Sequence, residues 1–139
     1  PIRRSGELST LIGRHPVSRQ KMAVVERNGK LAITRYRVEY TGMLDGVEIG
    51  VLAVRILTGR THQIRVSMAE IGCPLLGDGK YGRGDVNRRY GETRQALYSY
   101  QLAFPFPTDA GALNYLRGRV FTVADVPFRD KYFPAPEAP

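Results

Sequence analysis

Apolar and polar residues alternate over three stretches in the first half of the chain. Met22-Ala23-Val24-Val25-Glu26 reads as a short strand, and Asn28-Gly29 is a strong hairpin turn. Leu31 to Tyr40, with Ile33, Tyr36, Val38 and Tyr40 set among Thr34, Arg35, Arg37 and Glu39, reads as its hairpin partner. Leu44-Asp45-Gly46 makes the next turn. Val47 to Leu57 is a third strand, whose near-continuous apolar run predicts a central place in a sheet. The period then changes. Ile64, Met68 and Ile71 recur at i, i+4, i+7 and predict a helix ending at Gly72, with Thr58 or Thr61 as its cap and Pro74 just beyond.

The flanks carry weaker patterns. Residues 1–21 are polar and read as loop, with turns at Ser5-Gly6 and His15-Pro16. Residues 83–93 read as an exposed, mobile loop. Ala96 to Phe106 predicts a strand cut short by Pro105 and Pro107, and Arg117 to Val123 another. The tail after Pro127 is aromatic and then proline-rich, with a frayed end expected. The sum is an α+β domain with a mostly antiparallel mixed sheet and one principal helix. At 139 residues the chain is long enough for one domain with a hydrophobic core.

Charge adds a direction. The net charge is +8, and 17 of the 21 basic residues are arginine. Arginine offers a planar fork that fits phosphate and stacks on bases. The excess is concentrated in residues 1–37, where Arg3, Arg4, Arg14, Arg19, Lys21, Arg27, Lys30, Arg35 and Arg37 face only Glu7 and Glu26. Such a segment is an electrostatic footprint for nucleic acid, although a solvated basic face has the same composition. A single cysteine, Cys73, excludes a disulfide framework within the chain and reads as a small buried residue. No Cys/His cluster has metal-ligand spacing, so neither metal nor cofactor is expected. No apolar run is long enough to span a bilayer, and no signal-peptide pattern occurs.

The densest chemistry lies where the third strand hands over to the helix, in Thr58-Gly59-Arg60-Thr61-His62-Gln63-Ile64-Arg65. A core has no use for four polar heads together unless each is paired. Arg65 lies beside the apolar helix face and can fix a carboxylate through a bidentate pair, as a structural salt bridge or as part of a site. Arg60 stands at the helix start, where N–H groups favour anions, or is a solvated surface charge. His62 can serve as acid or base, but with no nucleophile beside it a structural hydrogen bond is the simpler role. Gly77, Gly79 and Gly82 read as backbone turns, since their spacing fits no phosphate loop.

Together these residues resemble the RluA family of RNA pseudouridine synthases. The family pattern is approximately L-x-T-G-R-x-H-Q-I-R-x-H-x-x-x-x-G-x-P-[IL]-x-G-D-x-x-Y-G. It is matched here by Leu57, Thr58, Gly59, Arg60, His62, Gln63, Ile64, Arg65, Gly72, Pro74, Leu75, Gly77, Asp78, Tyr81 and Gly82. A second element, R-Q-A-L-H-A followed by x-x-L-x-F, is matched by Arg94-Gln95-Ala96-Leu97 and by Leu102 and Phe104. Arg14-His15-Pro16, Asn28-Gly29-Lys30 and Ala32-Ile33-Thr34-Arg35-Tyr36 echo upstream elements. The resemblance runs from about residue 10 to residue 106. Ser67 replaces the family's second histidine, and Tyr98-Ser99 replaces His-Ala.

The H-R-L-D-x-x-T-S-G motif that carries the family's nucleophilic aspartate does not occur in the chain, nor does the strand bearing its active-site tyrosine. None of Asp45, Asp78, Asp85, Asp109, Asp125 or Asp130 has surroundings that replace the nucleophile. The chain also begins with Pro1 rather than methionine. Residues 1–139 therefore resemble the C-terminal portion of the catalytic domain, inactive on its own, with an incomplete sheet edge open to self-association. The resemblance implies a cytoplasmic, cofactor-free enzyme that isomerises uridine in ribosomal or transfer RNA. Arg65 would pair with the aspartate, and Leu97 would pack beneath the target base. Arg60, His62, Gln63, Arg14 and Arg19 would hold RNA or brace the site. The alternative is a non-catalytic RNA-binding module on the same scaffold.

Overall fold

In a computed structural model of the chain, which describes residues 3–134, four antiparallel strands form a sheet of order β2-β1-β3-β4. The strands are β1 (Ser5–Arg14), β2 (Met22–Val24), β3 (Lys30–Leu44) and β4 (Val47–Ile56). Residues up to Ala96 form one compact unit, and those from Leu97 onward a second.

β1 corrects the expectation of a loop over residues 1–21. It pairs with β3 from Ser5 opposite Arg37 to Ile12 opposite Lys30. Its inward positions are Gly6, Leu8, Thr10 and Ile12, while Ser5, Glu7 and Ser9 are exposed. The alternation is present, but a glycine and a threonine dilute its apolar face. Because β1 lies between β2 and β3, Met22–Val24 pairs with β1 and not with β3, and Asn28-Gly29 turns the chain without closing a two-stranded hairpin. Asp45 and Gly46 do close one. Both have positive φ, 46° and 79°, as the short turn between β3 and β4 requires. β4, expected at the centre, lies at an edge of the sheet among the described residues. Its Val51–Val54 run is only half-buried.

Helix α1 (Gln63–Glu70) packs on β1, β2 and β3. Its buried face consists of Gln63, Val66, Ser67 and Met68, so the helix is rotated from the expected Ile64–Met68–Ile71 stripe, and Ile71 is exposed. The buried Gln63 amide, bonded to Ile33 and Thr34 of β3, takes a place on the inner face where an isoleucine stripe was expected. Neither threonine caps the helix; His62 holds the N-cap position in the left-handed region without a side-chain cap bond. The C-terminus is a Schellman motif. Gly72 has φ 79°, its N–H reaches Ala69 O at 3.0 Å, and the N–H of the half-buried Cys73 reaches Met68 O at 2.9 Å. Val66 meets Ile12 and Ala32 in the core, and Met22, Val24 and Tyr81 pack around them.

Residues 83–93, expected as a loop, contain helix α2 (Gly84–Arg89), with Asp85 in its first turn and Arg88 and Arg89 in its last. Those charges match the helix dipole. Buried Asn87 ties α2 down: its Oδ1 accepts the Gly77 N–H at 2.8 Å and its Nδ2 donates to Asp78 O at 3.1 Å.

In the second unit the expected strands shorten to β5 (Gln101–Ala103) and β6 (Val120–Thr122), which pair with each other. Phe104 meets Phe106 and Phe121 edge-on. A 3₁₀ helix covers Gly111–Leu116, and Pro127 opens helix α3 (Pro127–Tyr132), where a tail was expected. The expected frayed end lies outside the described residues. The observed class is the expected one: α+β, with an antiparallel sheet and α1 as the longest helix among the described residues.

Candidate functional site

The loop between β4 and α1 is folded around one side chain. Gln63 is 4% exposed, and its amide is fully engaged. Its Oε1 accepts from Thr58 Oγ1 and from the Arg60 N–H, each at 2.9 Å. Its Nε2 donates to Ile33 O and to Thr34 Oγ1, each at 3.0 Å. Thr58 Oγ1 in turn accepts the Ile33 N–H at 2.9 Å, which pins the loop to β3. A primary amide has no further strong hydrogen-bonding capacity. Both ends of the Gln63 amide are thus taken up within the chain, between the loop and β3.

The same loop fixes its two cationic neighbours. Arg60 Nε donates to Leu31 O at 2.8 Å, leaving the other guanidinium nitrogens available. His62 sits at φ 54°, ψ 26°, a conformation that His adopts more readily than most residues. Its Nδ1 lies 2.8 Å from the Tyr81 hydroxyl, and that hydroxyl accepts the Met22 N–H at 2.9 Å. The bond between the phenol and Nδ1 takes its direction from the imidazole tautomer: with Nδ1 unprotonated, the phenol donates and the neutral ring carries its proton on Nε2. Burial, together with the nearby Arg65 and Lys80 charges, lowers the His62 pKa from its usual 6.5, against the opposing pull of Asp78. The neutral ring is favoured.

One turn into the helix, Arg65 forms a bidentate pair with Asp78: Nε to Oδ2 and Nη2 to Oδ1, both 2.8 Å. Asp78 is 1% exposed, and its Oδ1 also accepts the N–H groups of Lys80 at 2.9 Å and Tyr81 at 3.1 Å. Burial pushes the carboxyl up, but Arg65 and the two backbone donors outweigh it and hold Asp78 below the ordinary carboxylate range. The Arg65 guanidinium lies 5.1 Å from the centre of the Tyr81 ring. Nη1 makes no hydrogen bond among the described residues. Arg65 is thus held on two sides and open on a third.

Asp78 and Tyr81, with Asn87 behind them, are the residues that sequence reasoning missed as site components. The Gly77-Asp78 and Tyr81-Gly82 spacing was the available sign, and it reads locally as turns. That reading is itself correct: Gly77 has φ 80°, and the Gly82 N–H returns to Asp78 O at 3.0 Å. The turn serves to bury a carboxylate under Arg65.

The remaining expected residues are Arg14, Arg19 and Leu97. Arg14 is exposed at the end of β1, where its Nη1 donates to Arg19 O at 3.1 Å. Arg14 and Arg60 line one concave pocket, whereas Arg19, also exposed, does not. Leu97 opens the second unit and is 41% exposed. No group of three or more His, Cys, Asp or Glu placed to hold a metal occurs among the described residues, and no helix is long and apolar enough to cross a membrane.

No family model matches the chain. Individual proteins do. The chain is 41% identical over 113 residues to ribosomal large subunit pseudouridine synthase D of Nitrosomonas europaea, covering 76% of this chain and 31% of that protein. To the protein of the same name from Pseudomonas aeruginosa it is 49% identical over 82 residues, 58% of this chain and 24% of that one. Among solved structures it is similar to human RNA pseudouridylate synthase domain containing 1, with a TM-score of 0.69 and 26% identity, over 88% of this chain and 49% of that chain. The chain spans about a third of the length of the curated relatives it matches. With relatives of this identity covering three quarters of its length, the chain belongs to the RluA family of RNA pseudouridine synthases.

Proposed function

We propose that this chain supplies the C-terminal part of the catalytic domain of an RNA pseudouridine synthase, acting on ribosomal RNA in the cytoplasm without a cofactor. The observation that carries the reading is Arg65, whose guanidinium is immobilised by Asp78 and Tyr81 while Nη1 stays unengaged. An aspartate brought to Nη1 from outside this chain would be held ionised and aimed. It would attack C1′ of a flipped-out uridine as the bond from C1′ to N1 breaks. The base would rotate and bond to C1′ through C5 as the aspartyl ester bond breaks and frees the carboxylate, C5 would lose its proton and N1 would gain one. Flipping is required because the reacting atoms are inaccessible in a stack. Asp78 is unsuited to the nucleophile's part, being buried with both oxygens occupied. Leu97 is proposed beneath the target base, and Arg14, Arg19, Arg60 and His62 as RNA contacts. Ribosomal RNA is chosen over transfer RNA from the names of the relatives.

The test is reconstitution. The 139-residue chain should form no pseudouridine on unmodified ribosomal RNA, and the same chain joined to an upstream segment carrying H-R-L-D should form it. Turnover by the chain alone would show that a nucleophile lies within it. RNA binding without turnover in the joined protein would favour the non-catalytic module. The open edge of β4 should also make the isolated chain self-associate, which light scattering would detect.

A further inference from the structure

Several cations stand outside the ion pairs of the described residues, Arg19, Arg55 and Arg88 among them, and three others share a pocket. Arg35, Arg37, Arg65, Arg83 and Arg129 each pair with a carboxylate. Arg14, Lys30 and Arg60 do not, yet all three line one concave pocket of about 310 Å³ between the end of β1, the start of β3 and the loop before α1. No Asp or Glu lines it. Gathering three like charges without a counter-charge is unfavourable by itself, and an anion in the pocket would relieve it.

Two of the three are already aimed. Arg60 is fixed through Nε to Leu31 O, and Arg14 through Nη1 to Arg19 O, so each presents its remaining donors from a held position. The Lys30 side chain makes no hydrogen bond or ion pair among the described residues and supplies a third charge. Asn28 and Thr61 add neutral donors at the wall. No aromatic ring lines the pocket, so a base has nothing to stack on. The lining suits a phosphate.

We infer that Arg14, Lys30 and Arg60 form a docking site for one backbone phosphodiester of the substrate RNA. This rests on the RNA reading above and adds what is bound and what it achieves. Arg60 belongs to the loop that Gln63 braces, and α1 carries Arg65 from the end of that loop. A phosphate held in the pocket would fix the register of the RNA strand against Arg65.

The experiment uses the 139-residue chain and a labelled structured ribosomal RNA fragment, with anisotropy measured across a range of salt. Arg14→Gln/Lys30→Gln is compared with Arg55→Gln/Arg88→Gln, which removes the same charge from exposed positions elsewhere; Arg60 is left intact because it also fixes the loop. The pocket pair should bind about tenfold more weakly at low salt, and its dependence of affinity on salt should be shallower by about one to two counterions. Lys30→Gln alone should show about half of that change in slope. The control pair should keep the parent slope to within about half a counterion. A short uridine oligonucleotide should compete for the pocket in the parent, and inorganic phosphate should compete far less. Equal slopes for the pocket and control pairs, with the parent binding RNA, would overturn the pocket and leave the RNA reading standing. Equal competition by inorganic phosphate would mean that the pocket takes a free anion and not a strand. Failure of the parent to bind at low salt would remove the RNA reading itself.

Discussion

Arg65 and Asp78 meet through two parallel hydrogen bonds of 2.8 Å, with the arginine side chain 12% exposed and the aspartate 0%. A carboxylate so buried depends on its partner. Arg65→Met should therefore destabilise the chain by about 3–5 kcal/mol, since it strands the Asp78 charge in the interior. Arg65→Lys keeps the charge and loses the fork, and should cost less. Adding Asp78→Asn to Arg65→Met should recover part of the loss, because the stranded charge is gone. Denaturant unfolding of these proteins, with Asp78→Asn alone added to close the cycle, gives the coupling directly. Parent-like stability of Arg65→Met would show that the pair contributes nothing, and any loss of turnover in the joined enzyme could then be assigned to the reaction alone.

Acid should weaken the fold in two stages. His62 has a folded pKa below 6.5 and Asp78 one below 3.8. In both cases the native state binds fewer protons than the unfolded chain, so stability rises with pH across each window. The His62 contribution is complete above about 6.5 and is lost as pH falls through its folded value. The Asp78 contribution is complete above about 3.8 and is lost below that. His62→Asn, which tolerates the left-handed backbone, should abolish the first stage and leave the second. Thermal melts at intervals from pH 8 to pH 3 test this; a first stage that survives His62→Asn would have another source.

The family was legible in the sequence because its motif is carried by side chains at fixed spacing. The two-residue turn at Asp45-Gly46 and the glycine end of α1 were legible because each needs a positive φ. β1 was not, because its inward face includes Gly6 and Thr10, and pairing with β3 supplies what its own sequence does not. The rotation of α1 was hidden for a related reason. Gln63 and Ser67 look like surface residues until the partners that bury Gln63 are known, and those partners, Ile33 and Thr34, lie some thirty residues upstream. The pairing of Asp78 with Arg65 could not be read from spacing in a turn.

Ser67 stands where the family has its second histidine, and its hydroxyl is buried without a hydrogen-bond partner. A buried hydroxyl with no partner carries a desolvation penalty. Ser67→Ala should accordingly leave stability unchanged or raise it, by up to about 1 kcal/mol, in contrast to the usual loss on changing a buried residue. Denaturant midpoints settle the sign. A loss of more than about 1 kcal/mol would mean that the hydroxyl has a partner in solution, such as an ordered water.

Tyr81 joins two elements through separate parts of its side chain. The ring faces the Arg65 guanidinium and packs against the core of Ile12, Ala32 and Val66, while the hydroxyl bridges the Met22 N–H of β2 and His62 Nδ1. Tyr81→Phe keeps the ring and removes the bridge. It leaves a backbone donor and an imidazole nitrogen without their partner, and should cost about 1–3 kcal/mol at neutral pH. Tyr81→Leu removes the ring as well and should cost more, with part of the excess reflecting the lost cation–π contact to Arg65. The hydroxyl also sets the imidazole tautomer. While it donates to Nδ1, the neutral ring should carry its proton on Nε2, and ¹⁵N chemical shifts of the His62 ring should report this in the parent. In Tyr81→Phe the constraint is gone, and the shifts should move toward a mixture of tautomers. A parent ring protonated on Nδ1 would reverse the direction of that hydrogen bond and make His62 the donor to Tyr81.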